Sequence, residues 1–360
     1  MTRIAVVGAG ANIWPFHLRA IRAAGLTVVA VQDVVGGRAK AVGADIGCPA
    51  TDSLDELLAV DCDAVAVLAP HREHHALAKA ALAAGRHVLV EKPITATVED
   101  ARDLVAAART AGRVLAVCFQ QRTRSELVEA RRLVRSGALG DVQRVGLLAT
   151  WPRPDAYFRT ASWRATWAGE GGGILINQGQ HDLDALCFVA GSPCSVRAVT
   201  RTAVHAIETE DTATALVRWA AGAVGTLHLS SAELDEPSRL EVTGTGGRLR
   251  VRPGRLEVVL NNVDFREYAR AATDPYRAPD ATVQPVFTGT GGRHEEIYAN
   301  LRDVLAGTAE PVATGESAIA PLELAAAITV SHRENTTVDL PLPDGRHRAL
   351  LAALTAHAGR

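Results

Sequence analysis

The chain has 360 residues, 48% hydrophobic and 22% charged, with a formal net charge of −2. That length holds two domains with separate cores, and that balance is the balance of a globular protein. It lacks the basic excess that a nucleic-acid partner requires, and no apolar run reaches the roughly 18 residues of a membrane span.

Residues 3–118 alternate strand and helix patterns. Arg3 followed by Ile4-Ala5-Val6-Val7 superficially imitates a leader, but glycines interrupt the run at once, so it reads as a first strand. Strand-like runs at Ile4–Val7, Val28–Val31, Ala64–Leu68, Val88–Val90 and Val114–Cys118 are short and apolar on both faces. Such runs suit a parallel sheet covered by helices. Between them lie Ala-rich helical patterns. His74–Ala84 stops at Gly85, and Val98–Ala111 starts after Thr97 and stops at Gly112. Repeated β-α units predict a doubly wound, Rossmann-type sheet.

The first strand enters Gly8-Ala9-Gly10-Ala11-Asn12-Ile13. Two glycines allow a tight turn and close approach of a pyrophosphate, with a helix N-terminus behind it. Ile13 stands where a third glycine would complete G-x-G-x-x-G. Asp33 ends the second strand about 20 residues past the glycines, where a carboxylate accepts both ribose hydroxyls of an adenosine. That favours NAD, with NADP as the alternative because Arg38 and Lys40 follow. The Ala64–Leu68 run leads to Ala69-Pro70-His71, with His74 and His75 beyond. These histidines have no carboxylate or Cys partners in a ligand spacing, so no metal is expected. Cys48, Cys62, Cys118, Cys187 and Cys194 are odd in number and form no C-x-x-C, which points to reduced thiols in a cytoplasm.

Val88-Leu89-Val90 leads into Glu91-Lys92-Pro93. The 38 basic residues comprise 35 Arg and only three Lys, namely Lys40, Lys79 and Lys92. A guanidinium stays protonated, whereas a desolvated ammonium can release its proton. Lys92, at the carboxyl end of a parallel strand, is therefore a candidate proton donor and acceptor.

After residue 120 the texture changes. A helical pattern over Glu126–Arg135 precedes strand runs with no helix between most of them: Val142–Thr150, Val196–Thr202, Thr212–Trp219, Ala223–Ser230, Arg239–Thr243, Arg248–Val251 and Leu256–Leu260. Their alternation predicts an open, mainly antiparallel sheet with one covered face. Residues 261–293 read as loop and a candidate lid. Helical patterns return at His294–Leu305 and Ile319–Ser331, with a last strand near Val338–Leu340. The predicted organisation is α/β plus α+β: residues 1–120 form a nucleotide-binding domain, and residues 121–360 a substrate-binding and oligomerisation domain whose tail packs back on the first.

One insertion carries Tyr157, Trp163-Arg164, Gly171-Gly172-Gly173 and a predicted helix over Ile174–Val189. On that helix Asn177 and His181, four apart, share a face. The glycine run before them lets something approach closely.

Together these features resemble the Gfo/Idh/MocA family of nicotinamide-dependent oxidoreductases. The resemblance rests on Gly8-x-Gly10, Glu91-Lys92-Pro93, Trp163-Arg164, Gly171–Gly173 and Asn177-x-x-x-His181-x-Leu183-Asp184, in that order along the whole chain. It implies that Lys92 bridges nicotinamide ribose and substrate, and that His181 exchanges a proton with the substrate oxygen. It also implies cofactor contacts from Gly8, Gly10, Asn12, Ile13, Asp33, Pro70, His74, Glu91, Gln120, Trp163 and Arg164. Arg122 and Tyr157, with Asn177 and His181, are the implied substrate contacts. Asn177 departs from the Asp common in the family, and an amide takes no proton at ordinary pH. The implied reaction is hydride transfer at a secondary alcohol or ketone of a sugar, sugar derivative or cyclitol such as inositol. An NAD-dependent glycosidase, a non-catalytic NAD sensor and a reductase of non-sugar substrates such as dihydrodiols or imines are the alternatives. A homodimer or homotetramer through the second sheet is the expected assembly.

Overall fold

Six short strands without inside-outside alternation form the first sheet of the computed structural model, which describes residues 2–35 and 37–358. In chain order they are β1 (Arg3–Val7), β2 (Thr27–Gln32), β3 (Ala50–Thr51), β4 (Ala64–Val67), β5 (His87–Val90) and β6 (Leu115–Val117). They lie parallel in the order β3-β2-β1-β4-β5-β6. Ile4, Ala5 and Val6 and all of β4 are fully buried, because helices cover both faces. Those helices include α1 (Trp14–Ala23), α2 (Arg38–Ile46), α3 (Leu54–Ala59), α4 (His74–Ala83) and α5 (Val98–Ala111). Thr97 caps α5 by accepting from Asp100 N, and Gly112 ends it with φ +60°. The chain winds one way from β1 to β3 and the other way from β4 to β6. The crevice beyond the carboxyl ends of β1 and β4 is thus the switch point where such sheets bind ligands. The two-residue β3 carried no recognisable run in the sequence.

The second sheet contains β7 (Val142–Thr150), β8 (Ser195–Arg201), β9 (Thr212–Arg218), β10 (Val224–Ser230), β11 (Arg239–Gly244), β12 (Gly247–Arg252), β13 (Arg255–Asn261), β14 (Ala281–Val283), β15 (Phe287–Thr288) and β16 (Val338–Asp339). Its order is β14-β13-β12-β11-β7-β10-β9-β8-β16, with β15 also paired to β13. Every pairing is antiparallel except β7 with β10. The remaining helices are α6 (Ser125–Arg135), α7 (Asp155–Phe158), α8 (Gly179–Ala190), α9 (Phe265–Ala271), α10 (His294–Leu305), α11 (Gly315–Glu334) and α12 (Arg346–Ala358). Helices α6, α8 and α11 pack on one face of this sheet. Ala213, Ala215 and Val217 point into that core, while Leu216 on the same strand is 61% exposed on the open face. Residues 261–293 are not a plain loop. They form α9 and add β14 and β15 to the β13 edge, extending the sheet rather than making a lid.

The chain then returns to the first sheet. Ile297, Tyr298 and Leu301 of α10 pack in one core with Ile4, Val6, Ala20 and Ile21. Ala313 O accepts from Val117 N at 3.0 Å, and the tail helix α12 docks near α5, where His347 Nδ1 accepts from Val98 N. No helix among the described residues is long and apolar enough to cross a membrane.

Candidate active site

The glycine turn is built as a cradle. Gly8 has φ +82°, and a Cβ there would lie 2.8 Å from Ala69 N, so only glycine lets the ends of β1 and β4 meet. A Cβ on Gly10 would lie 2.6 Å from Asp33 Oδ2 and from Arg38 Cδ. Gly10 N donates to Asp33 Oδ2 and Val35 N to Asp33 Oδ1, each at 2.8 Å. Asp33 is therefore only 7% exposed and clamps the turn from the end of β2. Its carboxylate retains acceptor capacity for ribose hydroxyls. Asn12 is exposed in the turn. Ile13 sits at φ −80°, so no glycine is required where the motif departs. Among the described residues no side chain caps α1, whose dipole end faces the turn. This arrangement fits a dinucleotide pyrophosphate and ribose.

Two expected cofactor contacts, His74 and Glu91, are committed to structural partners. His74 is fully buried, and its Nδ1 and Nε2 each lie 2.8 Å from a carbonyl, Pro93 O and Ala69 O. Neither ring nitrogen is left for a ligand, so His74 pins the ends of β4 and β5 together. Pro70 is exposed and opens the short 3-10 turn His71–Glu73 before α4. Glu91 turns away from its neighbour's cleft. Its Oε1 lies 3.0 Å from His17 Nε2 and 3.8 Å from His294 Nε2, and Oε2 accepts from Lys92 N. Burial alone would raise the Glu91 pKa. The two histidines outweigh it and hold the carboxyl well below its ordinary range. His17, Glu91, Cys118 and His294 bring their donor atoms within 4.8 Å of one another. The contacts already made within this tetrad, of which only His294 is partly exposed, with His17 Nδ1 against Tyr298 OH at 2.8 Å, close it as a hydrogen-bonded link between α1, β5 and α10.

Lys92 takes the opposite direction. Its half-buried Nζ donates to Asn177 O at 2.9 Å. Burial lowers the ammonium pKa, Glu91 and Glu170 pull it back up, and Arg164 lowers it again. His181 is half-buried beside Phe119, with ring centroids 6.0 Å apart, and its Nδ1 has no partner among the described residues. Burial, then the charge of Lys92, pushes its pKa down to about 3. His181 is therefore neutral at neutral pH.

Asn177 is not on the expected helix. Turns close from Ile176 N and Asn177 N to Gly173 O, and α8 begins only at Gly179. The cause is the glycine run: a Cβ on Gly173 would lie 1.8 Å from Glu210 O, and Glu210 Oε1 accepts from Gly173 N and Leu175 N. What approaches the glycines is this chain's own backbone, not a ligand. Asn177 is held by its side chain, whose Nδ2 donates to Tyr157 OH at 3.0 Å and to Glu170 Oε1. Arg164 Nη1 donates to Tyr157 OH at 2.7 Å and to Glu170 Oε1 at 3.3 Å. Arg164 also stacks on the Tyr157 and Trp163 rings, 4.5 and 4.7 Å from their centroids, and Trp163 meets His71 at the end of β4. Glu170 escaped the sequence reading. Its one signal is an acidic residue set directly before three glycines, where a small residue would have been unremarkable.

Two junction residues divide. Arg122, expected at substrate, is 5% exposed and committed: Nε donates to Asp184 Oδ2 at 2.9 Å and Nη1 to Ser317 Oγ at 2.7 Å. It locks the Gln120–Thr123 turn to α8 and α11. Gln120 leaves Oε1 buried without a partner among the described residues, the kind of orphaned acceptor that a bound group satisfies.

Similarity to known proteins agrees with this geometry. The description "Oxidoreductase family, NAD-binding Rossmann fold" matches residues 2–119, and "GFO/IDH/MocA C-terminal domain" matches residues 127–250. The chain is 28% identical to the 1,5-anhydro-D-fructose reductase of Ensifer adhaerens over 323 residues, 89% of this chain and 92% of that one. It is 29% identical to the D-apiose dehydrogenase of Paraburkholderia graminis over 337 residues, 90% of this chain and 86% of that one. The WlbA dehydrogenase of Bordetella pertussis, solved with NADH and UDP-GlcNAcA, superposes with a TM-score of 0.80 at 28% identity, over 95% of this chain and 99% of that one. The glycine cradle, the lysine at the end of β5 and the second open sheet thus place this chain in the Gfo/Idh/MocA family, as an oxidoreductase that uses NAD.

Proposed function

We propose that this oxidoreductase interconverts a secondary alcohol and its ketone on a sugar, sugar derivative or cyclitol, with Lys92 exchanging the hydroxyl proton. The observation that carries this is the placement of Lys92: a partly desolvated amine, fixed by the Asn177 carbonyl and next to a neutral His181. Bound NAD supplies the acceptor or donor of the hydride. The chain supplies position and proton. Gly8, Gly10 and Asp33 seat the dinucleotide, and Gln120, Trp163 and Arg164 line the way to Lys92. The lowered pKa makes the neutral Lys92 amine accessible as a base for oxidation, and the ammonium serves as acid for reduction. His181, neutral at working pH, orients the reacting oxygen. The reductase and dehydrogenase relatives act on sugars by name, which supports a polyhydroxylated substrate. The substrate unit is residues 121–360 and the nucleotide unit residues 1–120. The five cysteines form no disulfide, in keeping with work in the cytoplasm.

The test is a panel of sugars, ketosugars and cyclitols followed at the NADH absorbance. Turnover of none of them, with NAD binding intact, would remove this reading. The open face of the second sheet, with Val199 64% and Leu216 61% exposed, is the surface we assign to a homodimer or homotetramer. Light scattering at micromolar concentration that returned one chain's mass would reject it.

A further inference from the structure

We propose that Glu170 is a positioning residue that makes Asn177 an obligate hydrogen-bond acceptor and Tyr157 an obligate donor, so that the cleft selects substrates with two adjacent hydroxyl groups. This rests on the polyol reading above. The argument is a count of hydrogens and lone pairs. Burial raises the Glu170 pKa, while Ala165 N, Arg164, Lys92 and Asn177 all favour its charged form, and a carboxylate only accepts. Glu170 is 1% exposed and held by Ala165 N, which donates to Oε2 at 2.6 Å, and by Arg164, which donates to Oε1. The Asn177 amide must therefore turn its N–H groups toward Glu170, because the flipped amide would set oxygen against oxygen. One N–H goes to Glu170 and the other to Tyr157 OH, which uses both. Asn177 Oδ1 has no partner among the described residues, and the residue is half-buried.

The same count fixes Tyr157. Its oxygen accepts from Asn177 Nδ2 and from Arg164 Nη1, which occupies both lone pairs. Its own hydrogen is left to donate elsewhere. The site thus offers one acceptor and one donor side by side, on a residue whose main-chain carbonyl also holds Lys92. A group facing Asn177 must carry a hydrogen, and a group facing Tyr157 must carry a lone pair. Adjacent hydroxyls meet both demands. An O-methyl or fluoro substituent cannot donate to Asn177.

Two single variants and an O-methyl ether give a test that a merely structural role would fail. Glu170→Gln frees the amide to flip and should raise KM on the order of tenfold with a smaller change in kcat. Asn177→Asp sets two carboxylates against each other and should be impaired as strongly. Wild type should turn over a substrate from the panel better than its ether O-methylated at the hydroxyl facing Asn177, and Glu170→Gln should lose most of that discrimination. Wild-type KM in Glu170→Gln, or unchanged discrimination against the O-methyl ether at unchanged melting temperature, overturns the proposal. Should the polyol panel show no turnover, the polyol reading falls, and the hydrogen-bond arrangement is still read directly. With ¹⁵N-asparagine labelling, the Asn177 side-chain amide protons, assigned by their loss in Asn177→Asp, should exchange slowly and shift in Glu170→Gln. Signals that do not move in Glu170→Gln reject the arrangement itself.

Discussion

Lys92 and Asn177 are joined through the main chain, Nζ to carbonyl oxygen at 2.9 Å, across 85 residues of sequence. The bond fastens the end of β5 to the turn that enters α8. It leaves the lysine no freedom to swing away from the cleft and takes nothing from the Asn177 side chain.

Lys92→Arg keeps the charge but cannot cycle the proton. Steady-state kinetics should show kcat down by roughly 10²-fold or more, with NAD affinity largely kept. A near-normal kcat would reduce Lys92 to a positioning charge.

The pH profile should separate the two proton-exchange candidates. Oxidation should quicken as pH rises through the Lys92 pKa, below the ordinary lysine value, and reduction should slow over the same range. His181, with its pKa near 3, stays neutral throughout. His181→Ala should cost about 10²-fold in kcat without moving that limb. A limb near neutrality that disappears in His181→Ala would make the histidine the base.

Asp33 should set the cofactor. A 2′-phosphate would meet its carboxylate, and like charges about 4 Å apart at an effective dielectric near 20 repel by several kcal/mol. Arg38, packed over Gly10, offsets part of this. A kcat/KM preference for NAD of at least about tenfold is expected, or ~1.4 kcal/mol. Asp33→Ser should shrink it through KM for NAD, the more so because Asp33 also clamps the turn. A wild-type preference for NADP would reverse the assignment.

Arg122→Ala should destabilise the protein by about 3–5 kcal/mol, because Asp184 would be left buried and unpaired. Denaturant unfolding measures this. A change in KM at unchanged stability would return Arg122 to the substrate.

Glu210 predicts a pH-dependent stability. Burial is the main cause that raises its pKa to about 7, with the charge of Glu170 adding to it. A folded-state pKa above the unfolded value gives stability that is present in full below about 4.5 and lost as pH rises through 7. Glu210→Gln should therefore match wild type near pH 4 and gain roughly 1–3 kcal/mol at pH 8. Equal melting temperatures at pH 8 would contradict this.

The sheets were legible because burial writes a pattern: β4 reads as an unbroken apolar run, and β9 alternates Ala213, Ala215 and Val217 against Thr214 and Leu216. The glycine turn, and the place of Lys92 just past the end of β5, were legible from residue type. What failed were inferences about direction. Glu91 and Lys92 are neighbours that point to opposite sides of β5's end, and no spacing rule says which side faces the ligand. Arg122 looked like a substrate cation because its counter-ion, Asp184, lies 62 residues on. Asn177 followed a helical spacing, but the approach of Glu210 to the glycines delayed the helix to Gly179.

The return of the chain after residue 293 has an outcome for biosynthesis. The core beneath β1 is completed by Ile297, Tyr298 and Leu301, and the edge strand β6 finds its last partners at Ala313 and Thr314. Residues 1–120 leaving the ribosome carry the complete set of β-α units but lack the side chains that seal them. The nucleotide-binding half, first to be synthesised, is thus among the last parts of the molecule to become dry, and it waits for most of the other half to emerge.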